Sequence, residues 1–243
     1  MAFTVIIPAR YASTRLPGKA LSEIHDRPMI AHVVDRARES SATRVIVATD
    51  DRRIADAVGG LDCEICMTRV GHESGSDRLA EVVEKLLFDD NEIVVNVQGD
   101  EPLIPGKLID QVAAALKNSE NAVMSTAAKA IEDDSDLMSP NVVKVVFNRV
   151  GDALYFSRAP IPFARDNRYT NAWHHIGIYA YRVSFLKRYD QLIRSELEQT
   201  ECLEQLRVLD NGDSIKVETV DYDTGIGVDT LEDLERVRRL MSK

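Results

Sequence analysis

Three cysteines in 243 residues are too few, and odd in number, to build a disulfide framework. Cys63 and Cys66 have the spacing of a zinc or redox pair. No second Cys-x-x-Cys and no nearby histidine completes a ligand set, so both read as residues of a short strand. Long apolar runs are missing too: nothing approaches the roughly 20 residues of a membrane span. Met1 leads straight into Phe3-Thr4-Val5-Ile6-Ile7 without a basic leader or small-residue cleavage site. A cytoplasmic protein with no membrane insertion is expected. The chain also lacks a basic excess; its formal net charge is −10. That excludes an ordinary nucleic-acid partner, whose phosphates need a positive face. Small anions stay eligible, because local Arg and Lys clusters override the global sign. The familiar phosphate loops are absent as well. There is no G-x-G-x-x-G. Gly18-Lys19 lacks both the following Ser or Thr and the glycine five places earlier that a Walker A loop carries.

What is present is alternation. A composition 44% apolar and 29% charged suits a globular fold, and the length allows one large domain. Apolar runs at 4–8, 44–48, 63–67 and 92–97 read as buried parallel strands. Segments 29–40, 52–58 and 77–87 carry apolar residues at helical spacing between them. Such repetition predicts an α/β fold, a mostly parallel sheet with helices on both faces. Ligands then gather at the carboxyl ends of the strands. The second half is less regular. Strands at 142–147, 153–156 and 175–181 are interrupted by a polar, proline-bearing stretch at 158–171. Helical patterns follow at 184–192 and 196–209, then a strand at 214–220 and a closing helix at 231–241. Thr230 with Asp233 three residues on suggests that helix's N-cap. With no internal repeat or long linker, residues 1–243 read as one domain with a β-rich arm.

The first strand runs into a loop holding three cations in ten residues, Arg10, Arg15 and Lys19. Converging cations and backbone N–H groups suit a triphosphate, and a solvated basic loop is the alternative. Asp100 follows the strand 92–97, with Gly99 letting the backbone turn close to a ligand. A carboxylate there suits Mg²⁺, or else a simple turn. Asp229 reads either as a second carboxylate or as a helix start. Thr49-Asp50 reads as the N-cap of the helix from Arg52.

Ile6-Ile7-Pro8-Ala9-Arg10 followed by Ser13-x-Arg15-Leu16-Pro17-Gly18-Lys19 resembles the nucleotide signature of the sugar-activating cytidylyltransferases. Further blocks narrow the resemblance to the 3-deoxy-manno-octulosonate (Kdo) branch. They are Thr49-Asp50, His72-Glu73-Ser74-Gly75, Asn96-Val97-Gln98-Gly99-Asp100-Glu101-Pro102 and Ala153-Leu154-Tyr155-Phe156-Ser157-Arg158. His175-x-Gly177-Ile178-Tyr179, Leu203-Glu204-Gln205-Leu206-Arg207 and Gly227-Val228-Asp229-Thr230 complete an ordered set across nearly the whole chain.

The resemblance implies a Rossmann-like nucleotidyltransferase fold with a β-rich dimerisation arm. Residues 1–130 would mainly bind CTP, 140–182 form the arm and sugar-site strands, and 183–243 complete the sugar and metal sites. It implies that Ala9, Arg10, Arg15, Lys19, Thr49, Asp50, Ser74 and Gly75 contact the nucleotide. Lys19, Asp100 and Asp229 would be catalytic, with Mg²⁺ on the two aspartates. Arg78, Gln98, Arg158, His175, Tyr179, Glu204 and Gln205 would meet the acidic sugar, Arg158 through its carboxylate. The partners implied are CTP, Kdo and a second copy of the chain. Segment 163–174 is shorter than in typical relatives, close to the expected sugar pocket and arm. Enzymes for an acylneuraminate or 8-amino-Kdo are the rival readings within this chemistry; a non-catalytic nucleotide sensor is the rival outside it.

Overall fold

Strand β1 (Thr4–Ala9) shows how the sheet is built: Val5, Ile6 and Ile7 are all fully buried. Successive strand side chains point to opposite faces. Val5 and Ile7 accordingly join one core cluster with Val33 and Leu108, while Ile6 joins another with Leu79 and Val82. Burying each such side chain contributes about 1.5–3 kcal/mol, so an apolar run covered on both faces is strongly fixed at the sheet centre.

The computed structural model describes residues 2–12, 16–72, 74–166 and 172–242. The remaining strands, in chain order, are β2 (Glu23–Ile24), β3 (Arg27–Pro28), β4 (Arg44–Thr49), β5 (Glu64–Met67), β6 (Ile93–Asn96), β7 (Ala122–Ala130), β8 (Lys144–Phe147), β9 (Ala153–Ser157), β10 (Trp173–Arg182) and β11 (Ser214–Val220). The helices are α1 (Met29–Arg38), α2 (Arg52–Val58), α3 (Gly75–Lys85), α4 (Gly106–Lys117), α5 (Asp134–Met138), α6 (Val183–Leu186), α7 (Glu196–Glu201), α8 (Gln205–Asp210) and α9 (Leu231–Met241).

The main sheet runs in the order β11-β7-β10-β6-β1-β4-β5. β10 is antiparallel to both β6 and β7, and every other pairing along that path is parallel. Six strands therefore share one direction, and their carboxyl ends lie along one edge. β8 pairs with both β10 and β9, forming the arm-like extension expected around 142–157. Helices α1 and α4 cover one face and α3 and α8 the other, as the mostly parallel α/β reading anticipates. A third, small cluster seats α9 on Ile24 and Met29.

Two long elements have no counterpart in the sequence reading, α4 and the nine-residue β7. β7 reads Ala-Val-Met-Ser-Thr-Ala-Ala-Lys-Ala, small residues with little β-propensity, and tertiary pairing on both sides overrides that weak local signal. The expected helix 196–209 is broken in two. Cys202 sits between the halves in a left-handed conformation, φ 51°. The expected helix 184–192 is a short α6 followed by a single 3₁₀ turn.

Candidate active site

The loop after β1 folds back on itself: Gly18 N–H donates to the Tyr11 carbonyl at 3.1 Å. Gly18 has φ 69°, and the 3₁₀ turn Lys19–Leu21 starts there, carrying Lys19 over the carboxyl edge of the sheet. Gly99 follows β6 on the same edge. A Cβ on Gly99 would lie 2.9 Å from the Pro8 carbonyl oxygen, so only glycine lets the two loops meet this closely. Asp100 is thereby brought under Lys19. Asp229, 129 positions further on, arrives by a backbone route: Val228 N–H donates to the Asp100 carbonyl at 2.9 Å. Lys19 Nζ then donates to Asp100 Oδ2 at 2.5 Å and to Asp229 Oδ1 at 3.2 Å.

These groups lie in a cleft of about 250 Å³. Of the residues expected at the site, Ala9, Arg10, Lys19, Ser74, Gly75, Arg78, Gln98, Asp100 and Asp229 line it. Arg15 lies outside the described residues. Ser74 serves two purposes. Its Oγ accepts the Asp77 N–H while Asp77 accepts the Ser74 N–H, a capping box that starts α3 at the cleft wall. The helix alternative for Asp229 is resolved the same way. Thr230, not Asp229, caps α9 through a capping box with Asp233, which leaves the Asp229 carboxylate facing Lys19.

Several expected residues sit elsewhere. Thr49 is fully buried at the end of β4, and its hydroxyl accepts the Asp51 N–H at 3.2 Å. Asp51, one residue beyond the expected pair, caps α2. Asp50 binds Arg78 at 2.8 Å. Arg78, expected at the sugar, is 3% exposed and pinned by Asp50 and the Thr68 hydroxyl against the same cleft as Lys19. Arg158 is the residue expected at the sugar carboxylate. Its guanidinium donates to the backbone carbonyls of Glu201 (2.8 Å) and Pro140 (2.9 Å), so it fastens the arm to the α7 end, and it lines neither the cleft nor the cavity beside His175.

A second cavity of about 190 Å³ shares Gln98 with the first and is bounded by Glu101, His175, Ile176 and Gly225. A Cβ on Gly225, at φ 86°, would lie 2.6 Å from the Leu103 carbonyl oxygen, so this wall too depends on a bare backbone. His175 and Tyr179, expected to share one pocket, are separated by a bulge that leaves Gly177 and Ile178 unpaired with β7. The Thr126 hydroxyl sits in that bulge, 2.8 Å from the Ile178 carbonyl and 2.9 Å from His175 Nε2. Burial pushes His175 down to about 3, so the ring is neutral. Tyr179, Glu204 and Gln205 instead surround a gap of about 10 Å³, room for roughly one water. Glu204 accepts from the Tyr189 hydroxyl at 2.5 Å, and among the described residues Gln205 Nε2 has no partner. As they stand, these three are core groups.

The sequence reading gave no role to two carboxylates. Burial, with Asp100 and Asp229 nearby, pushes Glu101 up to about 8. Glu81, on α3, gathers Arg69, His72 and Lys85. Glu101 stands inside a quoted motif block and so was visible in principle. Glu81 has no such signal; in a helical repeat it looks like any surface glutamate.

Residues 4–216 match the family model described as Cytidylyltransferase. A 3-deoxy-manno-octulosonate cytidylyltransferase from Serratia proteamaculans is 54% identical, covering 98% of each chain. One from Histophilus somni is 52% identical, covering 100% of this chain and 99% of that one. That alignment spans 255 positions against 243 residues here, so at least 12 are gaps in this chain. A solved CMP:2-keto-3-deoxy-manno-octonic acid synthetase complexed with CTP superposes with a TM-score of 0.93 at 44% identity, covering 99% and 98% of the two chains. A cytidylyltransferase from Leptospira borgpetersenii, at 19% identity, TM-score 0.62 and 99% and 86% coverage, shares the fold.

Proposed function

Because the chain belongs to the cytidylyltransferase family, and within it to the 3-deoxy-manno-octulosonate cytidylyltransferases, we propose that it transfers CMP from CTP to the anomeric hydroxyl of Kdo and releases diphosphate. The observation that carries this is the grouping of Lys19, Asp100 and Asp229 at the carboxyl edge of a parallel sheet. A cation between two carboxylates, reached from loops 81 and 210 positions from Lys19, is an arrangement for handling phosphate charge.

Mg²⁺ fits the donor set. Among the described residues no cluster of three acidic, histidine or cysteine groups forms a full cage. That suits an ion that takes one or two carboxylates and fills its octahedron with phosphate oxygens and water. Asp100 and Asp229 would hold it, and when bound it neutralises charge on the phosphates. The chain's own residues do the rest. Lys19 and Arg10 hold the triphosphate and orient the α-phosphorus for in-line attack, where positioning supplies much of the acceleration. Gln98 lines both the cleft and the cavity beside His175 and stands between nucleotide and acceptor. The sugar enters beside it, near His175; contact with Tyr179, Glu204 or Gln205 requires their small gap to open.

Exposed Val150, Leu154 and Phe163 on and beside the arm support a homodimer built through it. Three free thiols suit the reducing cytoplasm. Among the described residues no helix is long and apolar enough to cross a membrane. The test is diphosphate release from CTP with Kdo, 8-amino-Kdo and an acylneuraminate, with and without Mg²⁺. Release with Kdo that depends on the metal is expected. Release only with another acid moves the substrate, and none with any of them removes the catalytic reading.

A further inference from the structure

The nucleotide cleft has two chemically different ends. Lys19, Asp100 and Asp229 make one end ionic. The other end follows from the strand order β6-β1-β4-β5: the loop after the edge strand β5 and the start of α3 bring in His72, Ser74, Gly75 and an Arg78 whose charge is already matched by Asp50. Triphosphate and metal belong to the first end, which leaves the base to the second. There the ring of His72, 7% exposed, forms part of the wall.

His72 is held from behind. Its Nε2 lies 2.5 Å from Glu81 Oε2, and Glu81 is 6% exposed. His72 also lines a separate cavity, of about 240 Å³, together with Glu81, and so forms the partition between that cavity and the cleft. The carboxylate is unusually well fixed. It also accepts the Arg69 backbone N–H at 3.1 and 3.0 Å, one to each oxygen, and Lys85 Nζ at 2.7 Å. Against the burial that would raise it, those bonds hold Glu81 down at about 2. A carboxylate only accepts, so His72 Nε2 must carry the hydrogen. In the neutral ring Nδ1 is then a lone pair, and no described residue bonds to it.

Resting on the CTP reading above, we propose that His72, fixed by Glu81, is a base-specificity residue whose Nδ1 accepts from the 4-amino group of cytosine. Uracil presents a carbonyl oxygen at that position, so two lone pairs would oppose each other. A site built to bond one polar group rejects the analogue lacking it, because its own buried group is left unpaired. Glu81 is a positioning residue: it acts through the tautomer it imposes.

The experiment compares CTP and UTP as cosubstrates at pH 8.5 in four proteins. His72→Gln places its amide near the Nε2 position, keeps a bond to Glu81 and leaves no atom at Nδ1. The CTP-over-UTP ratio of kcat/KM should fall about tenfold or more, mainly through KM for CTP, with the melting temperature nearly unchanged. Glu81→Gln should lower the ratio in part. Lys85→Met removes another partner of Glu81 without touching His72, and should leave the ratio as it is. An unchanged ratio in His72→Gln overturns the inference while the CTP reading stands. Equal falls in Glu81→Gln and Lys85→Met also overturn it, since the cluster would then act only through the fold. If the unmodified protein does not turn over CTP, the parent reading fails and this one with it.

Discussion

The two halves of the sheet treat polar residues differently. In the parallel half, β5-β4-β1-β6, the loops after β1 and β6 deliver Arg10, Lys19, Gln98 and Asp100 to one cleft. Around β10, β7 and β11, where His175 alone of the expected sugar residues there lines the second cavity, other polar groups are bonded within the protein. Arg158 ties two loops together, Glu204 meets Tyr189, and Thr126 plugs a bulge. A parallel strand ends at an edge where its loop has nothing to bury, so polar groups there stay available for ligands. An antiparallel strand such as β10 runs its middle, not its end, past the site. Its polar groups must be satisfied within the core.

The largest expected effect breaks that contrast at its centre. Asp100→Asn is nearly isosteric and removes one partner of Lys19. Turnover should fall by about two orders of magnitude or more, as loss of one charge-stabilising group does, with the melting temperature little changed. Asp229→Asn should behave alike, since the helix cap belongs to Thr230. Steady-state rates at saturating and limiting Mg²⁺ make the check. Near-normal rates in both variants at limiting metal would remove the carboxylate pair from the mechanism.

Arg158→Ala comes next and sharpens the other side. If Arg158 is a fastener, its loss costs about 1.5–3 kcal/mol of stability through two charge-assisted bonds, a fall of roughly 5 °C. KM for CTP should stay put. A tenfold rise in the KM for Kdo at unchanged melting temperature would instead make it a sugar ligand, and this half would then work like the first.

The legibility of the sequence follows the same division. β1, β4, β6, α2, β11 and α9 are readable because apolar runs buried on both faces, or capped amphipathic helices, carry their own signal. β7 is not, because alanine and serine in a strand paired on both sides, between β11 and β10, are chosen for close packing rather than strand propensity. Lys19 and Asp100 are legible as chemistry at strand ends. Their meeting with Asp229 is not, because it depends on one backbone bond from Val228. Arg158 is ambiguous in the sequence for a related reason: an arginine after a strand looks the same whether carbonyls or a ligand satisfy it.

Glu101 lies where the halves meet, and its titration yields a smaller effect. A folded-state value near 8 against an ordinary 4.5 means the acid is favoured on folding. That contribution is complete below about pH 4.5 and is lost as pH rises through about 8. Glu101→Gln has nothing to ionise. In metal-free protein its melting temperature should exceed that of the parent by a few degrees at pH 9, and the gap should close at pH 4.5. Thermal melts across that range decide it; a gap that is the same at both ends would mean the carboxylate never pays for its burial.

The smallest effect concerns the edge strand β5. Cys63 and Cys66 have metal-like spacing, yet three residues along an extended chain point to opposite faces. Cys63 packs with the α1 and α4 cluster and Cys66 with the α3 cluster, so the sheet lies between their sulfurs and one ion cannot reach both. Burial raises both thiols, which keeps them protonated and slow to react. Cys202 is exposed. An aromatic disulfide reagent should therefore label one thiol per native chain quickly and two slowly, and purified protein should carry no stoichiometric zinc. The Cys63→Ser, Cys66→Ser double variant should keep its activity within about twofold. It should melt only a few degrees lower, because a hydroxyl at the buried Cys66 position costs about 1 kcal/mol where it finds a partner. One zinc per chain, released by the double substitution, would show that β5 is twisted enough to bring both sulfurs to one face.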